Sequence, residues 1–301
     1  MSWVLTHGDC DGVCSAALVL AARRPSNILF TKPSTFLEDL KRLRNFERMV
    51  ICDIAVPETR AEGVHTTLLE LSSSHELLYI DHHPLPEGFV APDFFIHSTG
   101  ACASELTHRE LKPQLPKDMS RIAIYGAIGD YADNTEFIQL LLLDWDKRTL
   151  YFESGLLNQG LDNKRHDYDF KRRIVDELSK NVLPSSDDAL ARAAIEQTFL
   201  EERMRNEIAE KVQTLGKIAY VLNIEGSVAK AAIYARAETG LKIGVAGEEE
   251  EGCIDMSLST TEEGVDLNRI LRQVAPTLGG LGEGIQRQRE PPYQLTNFND
   301  S

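Results

Sequence analysis

The sequence predicts an α/β protein with a mainly parallel sheet. Short apolar runs of three or four residues alternate with longer segments of helical spacing, which is the pattern of βαβ units. Three of the apolar runs are followed directly by a histidine or an aspartate. Because ligands gather at the carboxyl ends of parallel strands, this coincidence predicts one shared site. A chain of 301 residues is also long enough to form two domains.

The predicted elements of the N-terminal part follow in order along the chain. The predicted strands are residues 3–6, 27–30, 49–52, 77–80 and 94–96. The predicted helices are residues 14–22, 35–46 and 57–71, and a further helix that begins near Ala101. The apolar segment 121–128 fits either a strand or a helix, and it leads to Gly129 and Asp130.

Residues 185–217 have the pattern of one long helix that connects two domains. Two serines and two aspartates at 185–188 provide an N-cap and a negative first turn, and Gly216 is a natural stop. A β-rich region follows, with predicted strands at 218–222, 229–235, 241–246 and 253–258, and then a helix at 267–274. We therefore expect a domain of residues 1–184, a connector helix at 185–216 and a smaller α/β domain at 217–301.

The composition narrows the class of protein. A net charge of -15 argues against a protein that coats long duplex nucleic acid by bulk charge, although a local basic groove is compatible with it. No apolar run reaches the roughly 18 residues of a membrane helix, and the N-terminus lacks a signal-peptide pattern. The five cysteines are scattered and odd in number, so no disulfide framework is expected. We expect a cytoplasmic protein without a membrane partner.

The triplet Asp81-His82-His83 follows an apolar run and precedes Pro84. Two adjacent imidazoles and a carboxylate at the end of a strand are costly to bury unless something binds them. A metal ion is the usual ligand of such a group, because histidine and aspartate are preferred ligands of divalent metals. The alternative is a solvent-exposed polar turn.

A second polar cluster is the segment HGDCDG, which begins at His7 and includes Asp9 and Asp11. Its glycines allow a tight turn that points one imidazole and two carboxylates into a small volume. If Asp53 and Asp130 join them, four carboxylates converge, and a like-charge pair at 4 Å costs about 4 kcal/mol at an effective dielectric constant of 20. Two divalent ions turn this repulsion into coordination, so the residues predict a two-metal centre.

Four segments together resemble the motifs of one known family. They are HGDCDG, ICDIA, DHHP and GAIGDYAD, which begin at His7, Ile51, Asp81 and Gly126. In this order they resemble the DHH phosphoesterase superfamily, and most of all its RecJ-like, oligonucleotide-degrading branch with its archaeal members. The resemblance covers roughly residues 1–185. It implies an N-terminal DHH domain with helices around a mainly parallel sheet, and a smaller C-terminal substrate-binding domain.

The resemblance also implies a binuclear site that holds manganese, or alternatively magnesium, and hydrolyses phosphodiester or phosphoanhydride bonds. It assigns His7 and Asp9 to one metal and Asp53 to both metals. It assigns Asp11, His82 and Asp130 to the second metal. A bridging water would attack phosphorus in line, with Asp53 and His83 as the catalytic residues. His83 would face the substrate, and Asp81 would orient a histidine.

Two further segments are candidates for substrate binding. The turn Ser98-Thr99-Gly100 precedes a predicted helix, where it either cradles a phosphate or only caps the helix. Related nucleases have a C-terminal loop of GGGH type, and the corresponding residues here are Gly279, Gly280 and Gly282, with Ile285 at the histidine position. Backbone amides of this loop are expected to hold a phosphate. The basic residues at 164–165 and 171–173 are interpreted either as contacts to a nucleic-acid backbone or as a solvated helix face.

Three functions compete at this stage. The leading hypothesis is a metal-dependent exonuclease on single-stranded DNA or RNA, or on short oligonucleotides. The second is a phosphodiesterase of small substrates or cyclic dinucleotides, which would use the same metal centre. The third is a replication or repair scaffold of the RecJ/Cdc-type fold that binds a replisome or helicase partner.

Overall fold

A computed structural model of the protein describes residues 1–25, 27–250, 253–262 and 264–278. The strands are β1 (Ser2–Thr6), β2 (Asn27–Phe30), β3 (Arg48–Cys52), β4 (Glu76–Asp81), β5 (Phe95–His97), β6 (Gln213–Leu215), β7 (Ile218–Leu222), β8 (Ile243–Glu250) and β9 (Cys253–Thr260). The helices are α1 (Cys10–Arg23), α2 (Pro33–Arg42), α3 (Ala61–Ser72), α4 (Ala103–Leu111), α5 (Ser120–Gly129), α6 (Glu136–Leu142), α7 (Lys147–Asn163), α8 (Tyr168–Ser179), α9 (Asp188–Lys211), α10 (Val228–Thr239) and α11 (Leu267–Val274).

The first five strands form one parallel sheet in the order β2-β1-β3-β4-β5. Val4 in β1 is paired with Ile28 on one side and with Val50 on the other. Because all five strands point the same way, their carboxyl ends meet at one edge of the sheet. The predicted α/β fold with a mainly parallel sheet is confirmed.

Helices cover both faces of this sheet because successive strand residues point to opposite sides. On one face, Val4 and Val50 belong to a core formed with α1, α4, α5, α7 and α8. On the other face, Leu5 and Ile51 pack with apolar residues of α2 and α3. This double layer buries each strand on both faces, as expected for a parallel sheet.

The segment 121–128 is helix α5, which packs against α1. The structure thus decides between the strand and the helix that its apolar pattern allowed. Helices α6, α7 and α8 follow in a region to which the sequence assigned no elements. Helix α8 also packs against α1, and α7 packs against α9.

The connector helix is shorter than its apolar pattern predicts. Helix α9 begins after Asp187, whose side chain accepts the N–H groups of Ala189 and Leu190. It ends at Lys211, Val212 is extended, and β6 turns at Gly216 into β7. Gly216 has a φ of 59°, which glycine adopts at little cost. The prediction that the helix continues to residue 217 is therefore wrong for residues 212–217.

The C-terminal strands form a separate mixed sheet in the order β6-β7-β8-β9, in which only β7 and β8 are parallel. The predicted strand at 229–235 is wrong, since these residues belong to α10. Alanine-rich sequence favours a helix, and Ser227 caps it by accepting the N–H of Lys230. The other predicted strands of this region and the helix at 267–274 are confirmed. The domain boundaries at 184 and 216 stay a prediction.

Within the described residues, no helix has the length and the apolar character needed to cross a membrane.

Candidate metal centre

The site lies at the carboxyl edge of the parallel sheet. His7 follows β1, Asp53 follows β3, and Asp81 is the last residue of β4. These three strands are neighbours in the sheet, so their ends bring the polar residues together. Asp130 reaches the same place from the carboxyl end of α5.

One group of ligand-type atoms comes from His7, Asp9 and Asp53, and these atoms all lie within 4.8 Å of one another. His7 Nδ1 is 2.9 Å from Asp9 Oδ2. The other Asp9 oxygen accepts the N–H of Gly12 at 3.0 Å and so caps α1. Burial by itself would raise the pKa of Asp9, but His7 and the Gly12 amide outweigh it and lower the pKa below its ordinary value. Asp9 is therefore held as a carboxylate anion, which is the form that binds a metal ion.

A second group consists of Asp11, His82 and Asp130, whose ligand-type atoms also lie within 4.8 Å of one another. Asp11 is buried, and its two oxygens accept the N–H groups of Ala103 at 2.7 Å and Ser104 at 2.9 Å. The start of α4 thereby fixes the orientation of this carboxylate. His82 Nδ1 is 3.7 Å from Asp130 Oδ2.

Asp53 joins the two groups, because its Oδ1 is 3.3 Å from His82 Nε2. Its side chain is only 2% exposed and its backbone has a φ of 57°, a left-handed conformation that aspartate tolerates better than most residues. Burial raises the pKa of Asp53, and the nearby carboxylates, with Asp9 and Asp11 foremost, raise it further. The fold thus holds a carboxylate where its charge is strongly disfavoured.

Two buried polar atoms indicate what the site can bind. Asp53 Oδ2 and His82 Nε2 have no hydrogen-bond partner among the described residues. A buried polar atom without a partner is costly, and both atoms are of a type that binds divalent metals. A carboxylate-rich set with two imidazoles suits Mn²⁺ or Mg²⁺ better than a soft metal. The residues present therefore fit divalent ions of this class.

His83 has a different environment from His82. Its Nδ1 is 2.8 Å from Oδ1 of the fully buried Asp81, and its backbone N–H donates to the other oxygen at 3.2 Å. The ring of His97 adds a contact from Nε2 to the His83 carbonyl at 2.7 Å. Burial alone would lower the pKa of His83, but the Asp81 carboxylate reverses this and raises it to about 9. Asp81 thus orients His83 and favours its charged form.

The predicted substrate contacts lie partly outside the described residues. Gly100 donates its N–H to Ser98 Oγ at 3.3 Å, and Thr99 is exposed. Helix α4 begins at Ala103 rather than near Ala101, and its first N–H groups already bind Asp11. Gly279, Gly280 and Gly282 lie outside the described residues. Phosphate binding by either segment stays a prediction, as do the metal ligands themselves.

Lys171 is a residue whose place the sequence did not reveal. Both interpretations of the cluster at 171–173, a contact to a nucleic-acid backbone and a solvated helix face, require exposed side chains, but Lys171 in α8 is buried at 4% exposure. Its Nζ donates to the carbonyl of Gly8 at 2.5 Å, which lies between His7 and Asp9. No local pattern signals this contact, because the two residues are 163 positions apart.

The sequence matches no protein-family model and no curated protein. Solved structures with a similar fold were found instead. The DHH domain of a member of the s1p family of ribosomal proteins is similar over 92% of this chain and 78% of its own, with a TM-score of 0.68 and 11% identity. The chain has the fold of a DHH domain.

Two further structures share this DHH fold. A pGpG-specific phosphodiesterase from Vibrio cholerae matches 94% of this chain and 90% of its own, with a TM-score of 0.59 and 13% identity. An exonuclease RecJ bound to manganese matches 94% of this chain and 84% of its own, with a TM-score of 0.59 and 16% identity. Each similarity covers 94% of this chain, so the shared fold accounts for most of it.

Proposed function

We propose that this protein is a metal-dependent phosphodiesterase that acts as an exonuclease on single-stranded nucleic acid or short oligonucleotides. The observation that carries the proposal is the pair of three-residue groups joined at Asp53, in which Asp53 Oδ2 and His82 Nε2 are buried and make no hydrogen bond among the described residues. His7, Asp9 and Asp53 would hold one divalent ion. Asp11, His82 and Asp130 would hold another.

Divalent ions bound in such a pair supply an activated water and stabilise negative charge on phosphoryl oxygens. The protein's own residues prepare the site for this chemistry. Asp53 stands between the two groups and is held there by its left-handed backbone. The amides of Ala103 and Ser104 fix the orientation of Asp11, so little reorganisation is needed when a ligand binds.

His83 is the residue we propose to act on the substrate. Its Nδ1–H donates to Asp81, which leaves Nε2 as the second donor of a charged imidazole. A charged imidazole can donate a hydrogen bond to a phosphoryl oxygen, or give a proton to the departing oxygen. Asp81 keeps the ring in the required orientation, as the carboxylate partner of a catalytic histidine does.

Support for the substrate class comes from the structural relatives. The exonuclease and the pGpG-specific phosphodiesterase both cleave phosphodiester bonds, and each shares the fold over 94% of this chain. A net charge of -15 agrees with a short substrate held at one local site rather than a long duplex. The second candidate is a dinucleotide phosphodiesterase, and the 90% coverage of the pGpG-specific enzyme favours it.

A substrate panel tests the proposal. We would measure hydrolysis of a labelled single-stranded DNA, a single-stranded RNA and a linear dinucleotide, each with Mn²⁺, with Mg²⁺ and with a chelator. The variant Asp53→Asn keeps the size of the side chain, and asparagine also tolerates a positive φ. Asp176→Asn changes an exposed carboxylate on α8 and serves as the matched control.

We expect metal-dependent hydrolysis that Asp53→Asn lowers by more than about 100-fold, since even outer-shell partners of a metal typically contribute 10- to 100-fold. Asp176→Asn should match the wild type. A faster rate on the dinucleotide than on longer strands would favour the second candidate. If the wild type hydrolyses none of the three substrates with either ion, the proposal is wrong, and a scaffold that binds replication or helicase factors becomes the better explanation.

A further inference from the structure

The turn that carries His7 and Asp9 rests on a buried lysine. Lys171 extends from α8, and its Nζ donates to the carbonyl of Gly8, the residue between the two expected ligands. Helix α8 is itself packed against α1, which begins directly after Asp9. The contact therefore joins the turn to a rigid part of the core.

The fit between the two residues is close. A side chain added at Gly8 would place its Cβ 3.1 Å from Lys171 Nζ and 3.7 Å from Lys171 Cδ. The first of these distances is tighter than an ordinary contact, so a Cβ at position 8 would require the ammonium to shift by a few tenths of an ångström. Glycine at this position thus leaves the room that the lysine needs.

Burying an ammonium group has a cost that must be offset. Burial lowers the pKa of Lys171, while the nearby carboxylates of Asp9 and Asp162 act in the opposite direction. A methionine of similar length would fill the same space without this cost. We therefore infer that the lysine is present at this position because its charged N–H donor has a role.

Two roles for the lysine lead to opposite effects on metal binding. If Lys171 acts only through its positive charge, it repels a divalent cation, and its removal should tighten metal binding. If it acts by holding the Gly8 carbonyl, it keeps the side chains of His7 and Asp9 turned toward Asp53, and its removal should weaken metal binding. The direct contact with Gly8 favours the second role.

We propose that Lys171 is a positioning residue, which holds the His7-Gly8-Asp9 turn in the conformation that binds one of the two divalent ions. The proposal rests on the metal centre proposed above, and it adds a residue outside the four motif segments. It predicts that the site of His7, Asp9 and Asp53 depends on Lys171. The site of Asp11, His82 and Asp130 should not depend on it.

Binding of Mn²⁺ itself, measured from the electron paramagnetic resonance signal of the free ion, tests the proposal without any substrate. The variants are Lys171→Met, which keeps the length but removes the donor, and Lys171→Arg, which restores a charged donor. Lys180→Met serves as the control, because Lys180 lies just after α8 with its charge exposed and paired to Asp176. Thermal unfolding of each variant reports whether the fold is intact.

In the wild type we expect two bound ions per chain. In Lys171→Met one of them should bind about tenfold more weakly, in the range typical of residues that orient a metal ligand. Lys171→Arg should recover most of this loss, and Lys180→Met should show none. Unchanged or tighter binding in Lys171→Met would overturn the proposal.

A second variant covers the case in which Lys171→Met does not fold. Gly8→Ala places a methyl group against Nζ in a partly exposed turn, and it should weaken the same ion. Unchanged binding in that variant would then decide against the positioning role. If the wild type binds no Mn²⁺, the metal centre fails and this inference fails with it, whereas a wild type that binds two ions as tightly as its variants refutes the role of Lys171 alone.

Discussion

Asp53→Asn should stabilise the protein when no metal is present and destabilise it, relative to the wild type, when metal is added. Asp53 is almost fully buried beside Asp9, Asp11 and Asp130, and this crowding raises its pKa. Asparagine has nearly the same shape and accepts the positive φ of this position. The substitution thus removes a repelling charge and leaves the backbone unchanged.

The direction in which stability changes with pH follows from the difference in the pKa of Asp53 between the folded and the unfolded chain. Because the pKa of Asp53 is higher in the folded than in the unfolded chain, the folded state holds its proton more tightly, and stability is lost as the pH rises through the folded-state pKa. Each unit of pKa displacement corresponds to about 1.4 kcal/mol, and one like-charge contact at 4 Å costs about 4 kcal/mol at an effective dielectric constant of 20. We expect Asp53→Asn to be more stable by about 2 to 4 kcal/mol at pH 8, and by much less at pH 4.

Urea unfolding with a chelator and with Mn²⁺ measures both effects. Each ligand at one hundred times its Kd stabilises the folded state by about 2.7 kcal/mol, so two bound Mn²⁺ ions contribute roughly 5.4 kcal/mol. This exceeds the expected advantage of Asp53→Asn, and Mn²⁺ should therefore reverse the order of the two proteins. Asp176→Asn, with its exposed carboxylate, should behave like the wild type throughout. The reasoning is refuted if Asp53→Asn is the less stable protein at pH 8 without metal, or if Mn²⁺ stabilises both proteins equally.

Two other predictions concern buried positions of the N-terminal part. Gly126→Ala would place Cβ in a steric clash with Ser104 Oγ and 2.8 Å from Asp11 Oδ1, so unfolding free energy should fall by about 1 to 3 kcal/mol and Mn²⁺ should bind more weakly. The control is Gly155→Ala, whose added Cβ meets nothing within 4 Å. It should raise stability by about 1 kcal/mol and leave Mn²⁺ binding unchanged. Equal stability and equal Mn²⁺ binding of the two variants would contradict this prediction. Burial, with a smaller effect of Lys112, lowers the pKa of His108 to about 4, so its neutral form contributes stability above pH 6.5 that is lost as the pH falls toward 4. In urea unfolding with a chelator, the stability difference between wild type and His108→Gln should shrink by about 3 kcal/mol over this interval, and a difference independent of pH would contradict the assignment.

Much of the site was predictable because it lies at strand ends. A buried parallel strand is a short apolar run, so the residue that follows it is readable from the sequence. His7, Asp53 and Asp81 were found in this way. The parallel direction of β1, β3 and β4 then guarantees that such residues meet at one edge.

The predictions were wrong at segments whose apolar pattern fits both a helix and a strand. Residues 229–235 contain isoleucine and tyrosine among alanines, and burial against the second sheet favours the helix. In residues 213–215 the apolar spacing of α9 continues only because a strand also carries apolar residues. The turn at Gly216 and the pairing of Leu215 with Ile218 decide that these residues form β6.

The sequence by itself determined the chemistry of the site, since the histidines and aspartates and their places after apolar runs are properties of the chain. Only the tertiary structure decided how these side chains are held. The amides of Ala103 and Ser104 reach Asp11 across more than 90 positions, and Lys171 reaches Gly8 across 163. Such contacts depend on how helices pack against the sheet, and no pattern of neighbouring residues records that packing.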